Sequence, residues 1–152
     1  MAMLFTTGQL RSAFSLSKQQ WRSYRECLPP LAKDHAHAPC FSAADLLATS
    51  VVRCLNGKMS VPLSLFTPIA EKLFWLCSTC PWPQLERSCL LLDLQSFRVE
   101  LVDSERRITT TTVALFVQLA PLVAELRGHL LADEPDRQRD LAFPPMIAGV
   151  RR

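Results

Sequence analysis

Cys77 and Cys80 have the spacing that is most typical of metal or redox chemistry in this chain. They form a C-x-x-C pair just before Pro81-Trp82-Pro83, and two thiols so spaced can hold a metal ion or form a redox-active disulfide. A structural zinc site needs four ligands, yet the sequence has no second C-x-x-C pair and no matching histidine pair. We therefore expect reduced core cysteines and no metal or other cofactor. A thiol- or metal-responsive regulator is the alternative.

Three acidic residues of the second half have side chains that can act as general acids or bases. Asp93, Glu100 and Glu105 lie in or beside predicted strands and turns, and we expect them to be solvated. The sequence has no glycine-rich phosphate loop, no acid pair beside a nucleophile and no Ser/His/Asp order that supports a triad. No catalytic residues are predicted, and the protein is not expected to be an enzyme.

The stretch from Thr6 to Pro30 predicts two short helices joined by a tight turn. Thr6 or Thr7 can cap the first helix, and Ser15 or Ser17 can cap the second. On the second helix, two stripes differ in chemistry. The apolar stripe consists of Trp21, Tyr24 and Leu28, and the basic stripe consists of Lys18, Arg22 and Arg25.

The basic stripe of this second helix suits a DNA major groove. Lys18, Gln19 and Gln20 at its beginning could read base edges, and the arginines could bind phosphates. An ordinary helical hairpin with a solvated basic face is the alternative for this stretch.

The order of motifs over the first half of the chain resembles a known family. The motifs are T-x-G-x-L, a serine-led helix with R-x-Y, L-P-P, a variable excursion, F-S-x-x-D-L-L, and N-G. Together they resemble the DNA-binding domain of the MerR-type winged-helix regulators. The residues that carry the resemblance are Thr6, Gly8, Leu10, Ser17, Arg22, Tyr24, Leu28, Pro29, Phe41, Ser42, Asp45, Leu46, Val52 and Gly57.

The resemblance implies a winged helix-turn-helix that reads double-stranded DNA. The sequence departs from the family pattern at three places. Phe14 stands where family members usually carry a glycine between the helices, and Pro39 stands where they usually carry the arginine of the wing. Cys27-Leu28 is shorter than their usual glycine-leucine segment. The sequence offers Lys33, His35 and His37 in place of that arginine. The residues predicted to contact DNA are Thr7, Ser17, Lys18, Gln19, Gln20, Arg22, Tyr24, Arg25, Lys33, His35 and His37.

Composition places few limits on this assignment. The 152 residues suffice for one domain or two small ones, and about half are apolar. A net charge of +3 permits nucleic-acid binding without requiring it. The sequence has neither an apolar run long enough to span a membrane nor a secretory signal at its start. We expect a cytoplasmic protein without membrane association.

Further along the chain, the pattern predicts helices and then strands. Ser42 and Asp45 predict the start of a third helix that ends at Asn56-Gly57. A short helix from 60 to 66 follows, and Thr67-Pro68 is expected to cap and open the next one. Apolar residues then alternate in three predicted strands, 89–94, 97–101 and 108–118, before a helix that opens at Ala120-Pro121.

The sequence therefore predicts an α+β protein with three regions. Residues 1–80 form the MerR-like winged helix-turn-helix, residues 81–132 a small unit of three strands and one helix, and residues 133–152 a flexible tail. The predicted function is sequence-specific DNA binding by a transcription regulator that acts as a homodimer paired through the second unit. A protein-interaction module without DNA contact is the other alternative. The sequence does not indicate a small-molecule effector.

Overall fold

The computed structural model describes residues 3–33, 38–103 and 113–130, and it has the mixed α and β content that the sequence predicts. Most of the third predicted strand and the predicted tail lie outside the described residues. The elements are β1 (Leu4–Phe5), α1 (Thr7–Ala13), α2 (Lys18–Cys27), β2 (Phe41–Ser42), α3 (Ala43–Met59), α4 (Ala70–Thr79), α5 (Trp82–Glu86), β3 (Ser88–Asp93), β4 (Arg98–Asp103), β5 (Leu115–Gln118) and α6 (119–130).

Helices α1, α2 and α3 each begin with a capping box. In each, a hydroxyl accepts the backbone N–H three residues on, and the side chain of that later residue accepts the N–H of the cap. The pairs are Thr6 with Gln9, Ser17 with Gln20, and Ser42 with Asp45. The predicted cap at Ser42 is confirmed, and the structure selects Thr6 and Ser17 among the predicted alternatives.

The turn between α1 and α2 depends on a left-handed residue. Ser15 has a φ of 51°, a conformation that costs most residues energy and that glycine adopts freely. The residue in the glycine-like conformation is therefore Ser15, whereas Phe14 before it has a φ of −105°. Leu16, which follows, is buried and directs the chain back toward the core.

The two-stranded sheet connects the start of the chain to the start of α3. β1 and β2 are antiparallel, with Leu4 opposite Ser42 and Phe5 opposite Phe41. Phe41 is fully buried and meets Trp21 of α2 edge to face, with ring centroids 5.8 Å apart. This aromatic pair holds α2 against the beginning of α3.

Helix α3 extends past its predicted end at Asn56-Gly57. It continues to Met59, and Ser60 ends it in the left-handed conformation with a φ of 54°. The Asn56 side chain donates to the carbonyl of Val61 at 2.9 Å, which folds the following segment back onto the helix. A glycine inside a helix is tolerated, so the N-G motif alone did not locate the end.

The segment between α3 and α4 also differs from the prediction. A 3-10 helix spans Leu63–Ile69 and runs through Pro68, and α4 begins without a side-chain cap. The hydroxyl of Thr67 instead donates to the carbonyl of Cys27 at 2.7 Å, which joins this segment to the end of α2. Helix α5 was not predicted, because Pro81 at its N-cap and Pro83 in its first turn suggested only a break.

The three-stranded sheet has the order β4-β3-β5, with all neighbours antiparallel. The predicted strand around Phe97 begins one residue later, since Phe97 lies in the turn with a φ of 57° and an exposed ring. β5 begins at Leu115, and residues 104–112 lie outside the described part of the chain.

Asp93 at the end of β3 is not the solvated carboxylate that we expected. Only 2% of the residue is exposed, and Oδ1 accepts the backbone N–H groups of Gln95 and Ser96 at 3.0 and 3.2 Å. The side-chain hydrogen bond of Ser96 first, and then the backbone N–H groups of Ser96 and Gln95, lower the pKa of Asp93 below its ordinary value. The carboxylate therefore shapes the β3–β4 turn.

One hydrophobic core extends through both predicted units. It includes Leu10 and Leu47 from the first unit, and Leu90, Val117 and Val123 from the second. α6 begins at 119, one residue before the predicted start, and its apolar side packs into this core. No break in packing lies at residue 80.

Candidate nucleic-acid interface

The outward side of α2 is the basic surface that the sequence predicted. Lys18, Gln19 and Arg22 are exposed, whereas Trp21 and Tyr24 on the opposite side are 7% and 1% exposed. The buried side packs against β2, the turn after α2 and the 3-10 helix before α4. A helix held in this way presents its cationic side without needing to move.

Ser17 and Gln20, both predicted to contact DNA, have structural tasks at the start of α2. The Ser17 hydroxyl accepts the Gln20 N–H at 3.1 Å, and Gln20 Oε1 accepts the Ser17 N–H at 3.0 Å. Both side chains are exposed. Gln20 therefore keeps only the amide NH₂ free for a base edge, because its carbonyl oxygen is engaged in the cap.

Tyr24 is a correction to the predicted set. The residue is 1% exposed and belongs to the core, so it offers no surface to DNA. Burial raises the pKa of Tyr24, and the nearby Arg53 guanidinium offsets part of that rise. The prediction placed Tyr24 both on the buried stripe and in the DNA-contacting set, and only the buried position is correct.

Arg25 and Thr7 are less available than Lys18 and Arg22. Arg25 is half-buried, and its Nε is enclosed without a hydrogen-bond partner among the residues that the structure describes. Thr7 is the first residue of α1 and partly exposed, and it leaves the capping to Thr6.

Lys33, predicted in place of the wing arginine, has its ammonium group engaged by other residues of the protein. Its ammonium pairs with Asp45 Oδ2 at 2.8 Å, donates to the Cys40 carbonyl at 3.4 Å and lies 5.7 Å from the centre of the Phe41 ring. These contacts hold Lys33 at the beginning of α3. His35 and His37, the other predicted wing residues, lie outside the described residues.

The six cysteines all lie within the part of the chain that the structure describes. All six are free thiols, and Cys77 is 1% exposed. Burial, and then the proximity of Cys80 and Asp45, raises the pKa of Cys77 to about 12. Among residues 3–33, 38–103 and 113–130, no three histidine, cysteine or acidic side chains are grouped closely enough to hold a metal ion.

The sequence reasoning did not single out Trp75 of α4. This side chain is 66% exposed, whereas Leu73, Phe74 and Cys77 on the same helix are buried. The sequence did contain a signal for it, because a large apolar side chain on the polar side of an amphipathic helix is expected to be exposed.

Comparison with protein-family models, with characterised proteins and with solved structures finds no match to this chain. Within the described ranges, the helices are too short or too polar to cross a membrane.

Proposed function

We propose that this protein is a sequence-specific regulator of transcription that binds double-stranded DNA through α2, on a winged helix-turn-helix frame. The observation that carries the proposal is the two-sided nature of α2. Its apolar side is buried against three other elements, and Lys18, Gln19 and Arg22 remain exposed on the other. The MerR-like order of motifs supports the same function.

The dimensions of α2 suit this role. Ten residues give a helix of about 15 Å, and the major groove of B-DNA is about 12 Å wide. Lys18 and Gln19 lie in the first turn, the part of a recognition helix that meets base edges. Arg22 lies one turn later and is placed to bind a phosphate.

The small number of exposed cations on α2 favours a paired protein. Phosphate contacts supply much of the affinity of a DNA-binding protein, and one such helix offers few of them. We therefore propose a homodimer that places two copies of α2 about 34 Å apart along the duplex. The outer strand β5 is the candidate pairing element, because a free strand edge can associate with another chain.

The DNA proposal is tested by selecting bound sequences from a random double-stranded pool and then titrating the selected duplex at several salt concentrations. Lys18→Ala should change which bases are preferred. Arg22→Ala should weaken binding to all sequences and reduce the salt slope by about one. Arg87→Ala is the matched control, since it removes one exposed positive charge from the second half of the chain.

The recognition-helix assignment is wrong if the Lys18→Ala, Arg22→Ala double variant binds the selected duplex like the unchanged protein. Enrichment of a (pseudo)palindrome is expected for a dimer, and light scattering on the full chain measures the oligomeric state directly. The full chain is required, because the core continues past residue 80 and a shorter fragment would expose it.

A further inference from the structure

We propose that the groove between α4 and β4 binds an extended, acidic peptide segment of a partner protein, which adds to β4 as a fourth strand of the sheet. The groove has a volume of about 370 Å³. Its lining residues are Lys72, Trp75, Leu76, Arg98, Val99 and Glu100. It involves neither α2 nor any residue assigned above to DNA.

The apolar part of the groove is centred on Trp75. With 66% of its surface exposed, Trp75 contributes little to the core, which α4 meets through Leu73, Phe74 and Cys77. Leu76 and Val99 beside it are only partly buried. An exposed tryptophan flanked by aliphatic side chains is the type of residue that anchors a partner side chain in a protein interface.

The backbone of β4 supplies the second part of the site. β4 pairs with β3 on one side, and within the described ranges no strand occupies its other side. Alternate residues of an edge strand direct their N–H and C=O groups away from the sheet, where an extended peptide can pair with them. The groove lies along this edge, because Arg98, Val99 and Glu100 are consecutive residues of β4.

The charges of the groove select an acidic peptide. Arg98 Nη2 binds Glu100 Oε1 at 2.8 Å, so these two charges compensate each other. Lys72 remains as the excess cation of the lining residues, and its Nζ lies 3.4 Å from the carbonyl oxygen of Phe97 at the start of β4. A carboxylate of the peptide placed near Phe97 would complete the coordination of Lys72.

The test begins with a phage-displayed library of random twelve-residue peptides selected on the full-length protein, followed by titration of the most enriched peptide, labelled with fluorescein. We expect peptides with aspartate or glutamate close to an aromatic or aliphatic residue. Trp75→Ala should weaken binding on the order of tenfold or more. Phe116→Ala is the matched control, because it removes another exposed aromatic ring from β5, the opposite edge of the same sheet.

Two further measurements test the charge and the strand pairing. Lys72→Glu should bind the selected peptide weakly and should regain binding when the acidic residue of the peptide is replaced by lysine. Methylation of alternate peptide nitrogens should abolish binding for one set of positions and not for the other, because only one set faces β4. Arg22→Ala should leave peptide binding unchanged, so this proposal can fail or succeed independently of the proposed DNA binding.

The proposal is overturned if the library yields no enriched peptide, if Trp75→Ala and Phe116→Ala have equal effects, or if N-methylation has the same effect at both sets of positions. Self-association of the protein that Trp75→Ala abolishes would also overturn it, because the occupant would then be a second copy. Circular dichroism and thermal unfolding of each variant establish that the fold is intact before these comparisons are made.

Discussion

The thiol of Cys77 should be far less reactive in the folded protein than in the unfolded chain. Its pKa rises from the ordinary value of 9.0 to about 12, chiefly through burial. At about pH 8, three pKa units reduce the thiolate fraction roughly a thousandfold. A more basic thiolate is also a stronger nucleophile, and this raises its rate constant roughly thirtyfold, which offsets part of the reduction. The chemical effect alone therefore predicts alkylation about thirtyfold slower, and burial should slow it further.

Alkylation by iodoacetamide, followed by mass spectrometry, measures this rate residue by residue. The rate for Cys77 in buffer is compared with the rate for the same residue in concentrated urea, so the chain supplies its own reference. Cys80, three residues away and partly exposed, is the internal control for access of the reagent to this end of α4. The interpretation fails if Cys77 reacts in the folded protein at a rate close to that in urea.

The same pKa predicts how stability changes at alkaline pH. A folded pKa above the unfolded value means that the stabilisation is complete below about pH 9 and is lost as the pH rises toward 12. The free energy of unfolding should fall by an amount on the order of 1 kcal/mol for each pH unit in this window. Urea denaturation between these limits should show the fall, and Cys77→Ala should reduce it, leaving the part that the raised pKa of Tyr24 contributes.

Four other substitutions test the packing, the ion pair of Asp45 and the turn at Asp93. Trp21→Ala should lower the free energy of unfolding by about 3–5 kcal/mol in urea titrations, because it leaves a core cavity. Trp75 is exposed, so Trp75→Ala should change the free energy of unfolding by no more than about 0.5 kcal/mol. Asp45→Asn keeps a capping oxygen but loses the charge opposite Lys33. It should lower the free energy of unfolding by about 0.5–1 kcal/mol, and that free energy should then depend less on salt concentration. Asp93→Asn should reduce the loss of stability below pH 3.8, since the lowered pKa of Asp93 stabilises the fold above that pH.

Local signals in the sequence predicted the starts of α1, α2 and α3 well. Ser17 with Gln20, and Ser42 with Asp45, lie three residues apart, and the hydrogen bonds between them close within one turn. Such contacts need no knowledge of the remaining fold. The β-branched and leucine-rich segments likewise predicted strands at β3 and β4, although their ends shifted by a residue.

Contacts between distant segments could not be predicted in the same way. Thr67 donates to Cys27, which lies 40 residues earlier, so its hydroxyl was not free to cap α4. Lys33 pairs with Asp45, which lies twelve residues later, and the local sequence does not determine the conformation of the segment between them. In each case a residue with a good local role is engaged by a group that only the tertiary fold brings near it.

The candidate site was predicted at the level of a helix face and missed at the level of individual residues. Helical spacing separates Trp21 from Lys18 correctly, but it does not give the width of the buried stripe. That width determines the half-buried position of Arg25, whereas the burial of Tyr24 agrees with its place on the predicted apolar stripe. The groove beside Trp75 required the position of β4, which no pattern within α4 contains.

Helix α3 carries eight consecutive buried residues, from Asp45 to Val52. A helix at a surface leaves one side free to vary, whereas each residue of this run meets another part of the protein. In evolutionary terms, few positions here accept a larger or charged side chain. The exposed sides of α2 and α4 carry no such constraint. We expect homologues with new binding partners to diverge there, around an α3 that keeps small residues at Ala48, Thr49 and Ser50.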